Sequence, residues 1–228
     1  MKIKIRQSIP NAVTCLNVTS GCIAVALAFA GNYIGASIAI CAAAVFDFLD
    51  GAVARLLDAY SPMGKELDSL SDLVSFGVAP AAMVYTILPA PACYFAIAIP
   101  VCGALRLAKF NIDTRQVNGF IGLPIPANAL FWIGMVSFWQ ANHPQDSQAW
   151  STTSAILIVA MALAMLAPVR LPSLKFHSAR PSMENSPRYI IIIATALLVA
   201  WLGVPGLAVA IALYFLYGAV MTLATRSL

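Results

Sequence analysis

"DFLDGAVARLLDAYSPMGKELDSLSD" occupies residues 47–72 and holds six of the nine acidic residues in the chain. It is embedded in 228 residues that are 61% hydrophobic and only 10% charged. A soluble domain averages about 25% charged residues. The mean hydropathy is +0.86, and long apolar runs recur from residue 12 to residue 223. Those lengths fit membrane helices and not the short alternating strands of an outer-membrane barrel. Lipid offers no hydrogen bonds, so each span must satisfy its own backbone. Carboxylates gathered in such a chain need a physical reason.

Working outward, eight apolar segments are expected, at about 12–31, 33–57, 69–88, 92–110, 124–141, 151–168, 189–203 and 206–223. "GNY" separates the first two and "VPG" the last two. The seventh is short for a full span, so the last pair reads as a C-terminal hairpin beside a six-helix core. With the N-terminus inside, the outer pieces 31–33, 89–91, 142–150 and 204–205 carry none of the 13 basic residues. That asymmetry puts both termini and the acidic stretch on the cytoplasmic side. The fold class is all-α: a polytopic membrane bundle of about eight helices, one domain over 1–228. "MKIKIRQSIP" is expected to lie along the membrane surface, its cations near anionic lipid. It is expected to begin a retained helix and not a cleaved signal, because Asn11, Thr14, Asn17 and Thr19 interrupt the following run.

Cys15, Cys22, Cys41, Cys93 and Cys102 form no C-x-x-C pair and read as small apolar filler. His143 and His177 stand alone in opposite loops and imply no metal site. The loop 170–188 has four basic residues against Glu184, and reads chiefly as a topology determinant. Trp132, Trp139, Trp150 and Trp201 read as interface-belt or packing residues.

Within the acidic stretch, Asp47, Asp50, Gly51 and Ala54 share one helix face, and Gly64, Asp68 and Asp72 share a face of the next helix. "SPMG" makes a turn between them. Two antiparallel helices would therefore bring four carboxylates together. Leaving four such groups unpaired in a membrane would cost on the order of 10 kcal/mol. Arg55 and Lys65 supply only two positive charges, both toward the cytoplasmic rim. Two divalent cations would balance the set, and an all-carboxylate donor set selects Mg²⁺, Mn²⁺ or Ca²⁺ over Zn²⁺. Paired divalent ions ~3.5–4 Å apart are a recurrent device of phosphoryl transfer. Gly51, Ala54 and Gly64 leave room for a phosphate ligand, or alternatively let helices pack closely.

The whole spacing reads D-x2-D-G-x2-A-R-x8-G-x3-D-x3-D from Asp47 to Asp72. It resembles the signature of the CDP-alcohol phosphatidyltransferase family, whose members displace CMP from a CDP-linked lipid with an alcohol and need a divalent metal. The resemblance implies that Asp47, Asp50, Asp68 and Asp72 bind metals and that Asp72 is the general base. It implies that Gly51, Ala54 and Gly64 line the cytidine-diphosphate pocket and that Arg55 steadies the nucleotide or the acids. "IPNAVT", residues 9–14, resembles the family's first helix, so that Asn11 and Thr14 would approach the nucleotide. A homodimer in the cytoplasmic (inner) membrane follows by the same analogy, with the site facing the cytoplasm. No nucleic-acid partner is expected.

"DSLSDLVSFGVAP" at 68–80, "GALRLAKFN" at 103–111 and "FIGLPIPA" at 120–127 resemble the family's phosphatidylserine synthase branch. The implied substrates are CDP-diacylglycerol and L-serine. Arg106 offers a planar, two-pronged donor for the serine carboxylate, with Lys109 one turn later; topology anchoring is the alternative role for both. Glu66 and Asp113 are candidates for the ammonium. Two other readings remain at this stage. One keeps the chemistry but changes the acceptor to glycerol 3-phosphate, an inositol phosphate or choline. The other is a divalent-cation transporter, which intramembrane acids also suit; it is disfavoured because the acids all sit near one side.

Overall fold

The computed structural model describes residues 2–112, 120–142, 148–172 and 186–226. Asp113, His143, His177 and most of the basic 170–188 loop lie outside the described residues. The described chain is helical apart from one two-residue strand pair. Its helices are α1 (Lys2–Phe29), α2 (Tyr33–Leu56), α3 (Pro62–Asp72), α4 (Ala79–Ile87), α5 (Ala98–Ile112), α6 (Ile125–Asn142), α7 (Gln148–Ala164), α8 (Ser186–Leu202) and α9 (Gly206–Arg226). A single π-helical turn, Leu73–Val78, joins α3 to α4, and a 3-10 segment, Ala92–Ile97, leads into α5.

Local chemistry sets the boundaries. Gly31 has φ +75°, which ends α1 at little steric cost. Asn32 then caps α2, its side-chain oxygen accepting from the Gly35 amide at 2.9 Å. Ser61 caps α3 in the same way, accepting from Gly64 at 3.0 Å, with Pro62 at the first helical position. The expected turns "GNY" and "VPG" therefore fall where α1 meets α2 and α8 meets α9. Of "MKIKIRQSIP", expected to lie along the membrane surface, residues 2–10 are continuous with the first span as part of α1.

Five stretches are long and apolar enough to cross a membrane: Ser8–Phe29, Tyr33–Leu56, Pro62–Ile87, Ala92–Ile112 and Gly206–Thr225. The other three of the eight expected segments are helical but fall short of that standard. α7 and α8 have 17 residues each, which is about 26 Å against a hydrocarbon core of about 30 Å. α6 has 18 residues but spends some of them on Asn128, Gln140 and Asn142.

α1 and α2 form an antiparallel hairpin, and the α3–π–α4 rod lies against it. Ser71 and Ser75 lock that rod to α1, donating to the Thr14 carbonyl at 3.4 Å and the Asn17 carbonyl at 3.0 Å. A Cβ on Gly21 would collide with Ser75, so the glycine sets how close the two elements come. Phe76, Met83, Ile99, Ile125, Trp132 and Trp139 fill the interior between α4, α5 and α6. Trp132 and Trp139 are thus packing residues, whereas Trp201 is 83% exposed near the end of α8, as a belt residue would be. The strands β1 (Phe120–Ile121) and β2 (Arg170–Leu171) pair antiparallel. This puts the start of α6 and the end of α7 at one end of the bundle. α9 joins them there, with Thr222 accepting from the Arg170 amide at 2.9 Å and Tyr214 donating to the Pro172 carbonyl at 2.8 Å.

Candidate active site

The two acidic faces meet. Asp47, Asp50 and Asp68 each present a carboxylate oxygen, and these oxygens all lie within 4.8 Å of one another. Asp47 comes from α2, one turn above Asp50, while Asp68 projects from α3 across the hairpin. The Asp47 carboxyl is also within hydrogen-bonding reach of those of Asp68 and Asp72.

α1 supplies the polar wall of this cleft. Thr14 is buried, and its hydroxyl donates to Asp50 Oδ2 at 2.6 Å, a short charge-assisted bond. Asn17 is completely buried, and its Nδ2 donates to Asp72 Oδ1 at 3.4 Å. Asn11 lies beside Gly64: a Cβ built there would stand 3.0 Å from Asn11 Oδ1. Gly51 is different, since a Cβ built on it would meet nothing within 4 Å. Close helix packing therefore accounts for Gly64 and not for Gly51, which opens onto free space directly after Asp50. Ala54 is half-buried one turn along, and Arg55 is exposed.

The positive charges divide into two groups. Arg106 on α5 is 8% exposed, with its Nε unpartnered, and lies within electrostatic range of Asp72. Lys109 is exposed. Lys65 is exposed too, and its Nζ donates to the Asn111 carbonyl at 3.1 Å, at the C-terminal end of α5. Asn111 in turn donates to Ser69 Oγ at 2.9 Å, tying α3 to α5. Among the described residues, the four carboxylates are thus faced by one buried cation, Arg106.

The donor set of the cleft suits divalent cations. Asp68 Oδ1 is buried without a hydrogen-bond partner. An orphaned carboxylate oxygen beside two further carboxylates is a hard-oxygen donor set of the kind Mg²⁺, Mn²⁺ and Ca²⁺ take. The residues fit the group.

Sequence reasoning passed over Asn17, Ser71 and Ser75. Asn17 had been read only as a polar interruption of an apolar run. The spacing Asn11, Thr14, Asn17 puts one polar residue per turn on a single α1 face, and that face lies against the acids. The π turn had no sequence signal of its own.

The family profile described as CDP-alcohol phosphatidyltransferase matches residues 7–225, nearly the whole chain. The chain belongs to the CDP-alcohol phosphatidyltransferase family. Relatives within it are similar over most of their length. A CDP-diacylglycerol–serine O-phosphatidyltransferase from Methanocaldococcus jannaschii is 36% identical over 214 residues, covering 92% of this chain and 92% of that protein. One of the same name from Mycobacterium leprae is 35% identical over 222 residues, 92% of this chain and 69% of that protein. An archaetidylserine synthase from Methanothermobacter thermautotrophicus is 34% identical over 177 residues, covering 72% and 70%.

Proposed function

We propose that this chain transfers the phosphatidyl group of CDP-diacylglycerol to the hydroxyl of L-serine, yielding phosphatidylserine and CMP. The observation that carries the reading is the convergence of Asp47, Asp50 and Asp68 beside an open Gly51, in a chain whose relatives are named for serine. The relatives' names agree on serine and differ in the lipid, so the acceptor is the better supported half of the reading.

In this reading, Asp47, Asp50, Asp68 and Asp72 hold two divalent cations, Mg²⁺ or Mn²⁺, with Ca²⁺ a further candidate. Bound there, such ions supply positive charge to the diphosphate and to the departing oxygen. The chain's own residues do the rest. Thr14 fixes the Asp50 carboxylate by its 2.6 Å bond. Gly51, Ala54 and Gly64 line the nucleotide pocket with Asn11, and Arg55 meets the nucleotide from the exposed end of α2. Arg106 pairs with the serine carboxylate through its guanidinium fork, and Lys109 adds positive charge at the rim. Asp72 takes the proton of the serine hydroxyl. The freed oxygen bonds to the lipid-bearing phosphorus, the bond from that phosphorus to CMP breaks, and CMP leaves.

The asymmetry of Lys and Arg supports a site facing the cytoplasm in the cytoplasmic membrane. Family resemblance supports a homodimer. The test is CMP release by detergent-purified protein given CDP-diacylglycerol and Mn²⁺ or Mg²⁺. Serine, glycerol 3-phosphate, inositol phosphate and choline are supplied one at a time. Release with serine alone, abolished by chelator, is expected. Release with another alcohol instead would keep the chemistry and remove the serine assignment. Silence with every acceptor, from folded and metal-loaded protein, would sink the transferase reading.

A further inference from the structure

We infer that Asn17 is a positioning residue for Asp72, holding the fourth carboxyl of the cleft in register for proton transfer. The inference rests on the role proposed above for Asp72. Asn17 is 0% exposed, on the α1 face that also carries Thr14. Its Nδ2 donates to Asp72 Oδ1 at 3.4 Å, while its Oδ1 is buried without a partner. The amide's orientation follows from that pairing. Only its N–H end can face a carboxylate oxygen, since turning it over would set oxygen against oxygen. Asp72 is thus the polar group that orients Asn17, and Asn17 reaches Asp72 from α1.

The backbone around the pair is braced separately. Ser75 donates to the Asn17 carbonyl at 3.0 Å, and Gly21, one turn on, has no Cβ and lets Ser75 sit against α1. Asp72 is the last residue of α3, and the π turn Leu73–Val78 begins at the next residue. A π turn inserts an extra residue and displaces the side chains flanking it from regular α spacing. Asp72 therefore stands where regular helix geometry ends, and a side-chain tether from α1 restores a fixed direction. Thr14 does the same for Asp50, so the two tethers from one α1 face hold one carboxyl on each of the two acidic helices.

The test separates this role from simple packing. Asn17→Leu keeps the branched shape, with bulkier ends, and deletes the donor. It is expected to lower kcat for CMP release about 10- to 100-fold, as misplacing a reacting group does, with the KM values for CDP-diacylglycerol and serine unchanged. Ser75→Ala, which loosens the backbone brace and leaves the amide in place, should lower the melting temperature and leave kcat nearly intact. Equal kcat losses in both variants, or a loss in Asn17→Leu that appears only in KM, would overturn the inference. A readout independent of catalysis is the melting temperature of metal-free Asn17→Leu, Asp72→Ala and the double variant, each single change removing one side of the contact. Contact between the side chains predicts a double shift that departs from the sum of the singles, whereas additive shifts would overturn the contact. If the unaltered protein released no CMP with serine, the functional reading would fall and the melting cycle would still decide whether Asn17 holds Asp72.

Discussion

Two spans, of 26 and 20 residues, sit in opposite environments. The rod Pro62–Ile87 is the least apolar of the five candidate spans, with a mean hydropathy of 1.4, and it is the most enclosed, at 56% buried. Gly206–Thr225 is the most apolar at 2.1 and only 28% buried. α8 goes further still, since none of Tyr189–Leu202 is fully buried. In water the ranking would run the other way. In lipid the apolar side chain already has a favourable solvent, so Leu and Ile face outward and small or polar residues collect where helices touch. Ser71, Ser75, Gly77, Ala79 and Ala82 share the buried positions of the rod with Phe76, Met83 and Val84. The contrast teaches that apolarity alone does not mark the interior of this protein, because small and polar residues share it with the large apolar side chains.

The largest effect that this contrast predicts is at Asp72. Asp72→Asn retains size and hydrogen-bonding ability but cannot take up a proton. It should lower kcat for CMP release by about 10³-fold without lowering the melting temperature. Unfolding of the variant would mean that the carboxyl serves the fold, and the contrast between a chemical centre and an inert periphery would lose its basis.

Next comes a comparison of two glycines. A Cβ on Gly134 of α6 would come within 2.6 Å of the Ala208 backbone nitrogen on α9, whereas one on Gly51 meets nothing. Gly134→Val should therefore destabilise the protein by about 1–3 kcal/mol through overpacking. Gly51→Val should leave the melting temperature alone and cut CMP release at least about tenfold, the equivalent of about 1.4 kcal/mol of lost binding. Melting curves and initial rates on the two variants make the comparison. Full activity in Gly51→Val would show that the open space beside Asp50 is not where substrate sits.

A more selective effect, on one substrate alone, is expected at Arg106. Arg106→Gln removes a buried guanidinium and should raise the KM for serine by about 10- to 100-fold, the value of a charged hydrogen bond of about 1.5–3 kcal/mol. The KM for CDP-diacylglycerol should hardly move. Lys109→Gln, at an exposed position, should change the serine KM by less. A serine KM unmoved in Arg106→Gln would return Arg106 to the role of a topology anchor.

Much of the site was legible before any fold was known, because acids in a membrane are costly and their spacing is rigid. Asp47, Asp50, Asp68 and Asp72 could be put on two facing helices from the 3.6-residue period and the Ser-Pro turn alone. What stayed hidden depends on contacts between elements distant in sequence. Asn17 and Asp72 are 55 residues apart, and nothing local to Asn17 distinguishes a tether from a tolerated polar residue. Arg106 and Lys109 looked alike as basic residues at one helix end, and only packing turned one inward and left the other outside. The number of spans was legible only in part. Hydropathy finds apolar runs, but the lengths of α7 and α8 and the amides of α6 depend on where each helix starts and stops.

The smallest expected effect is on α8, and it tests the periphery directly. Leu197 and Trp201 are 64% and 83% exposed, so lipid or detergent is their solvent. Leu197→Ala removes apolar surface that the fold does not enclose. By that logic it should shift stability by no more than about 0.5 kcal/mol, as for a surface position, and leave the rate of CMP release within about twofold of the parent, a change of about 0.4 kcal/mol. Trp201→Ala should behave the same way in detergent. A large loss of activity or of thermal stability in either variant would mean that this face is covered in the working enzyme. Light scattering of the same variants would then show whether a second copy of the chain is the cover. If the oligomer fell apart with the activity, the periphery would prove to be an interface, and the division drawn between the two spans would stop at α9.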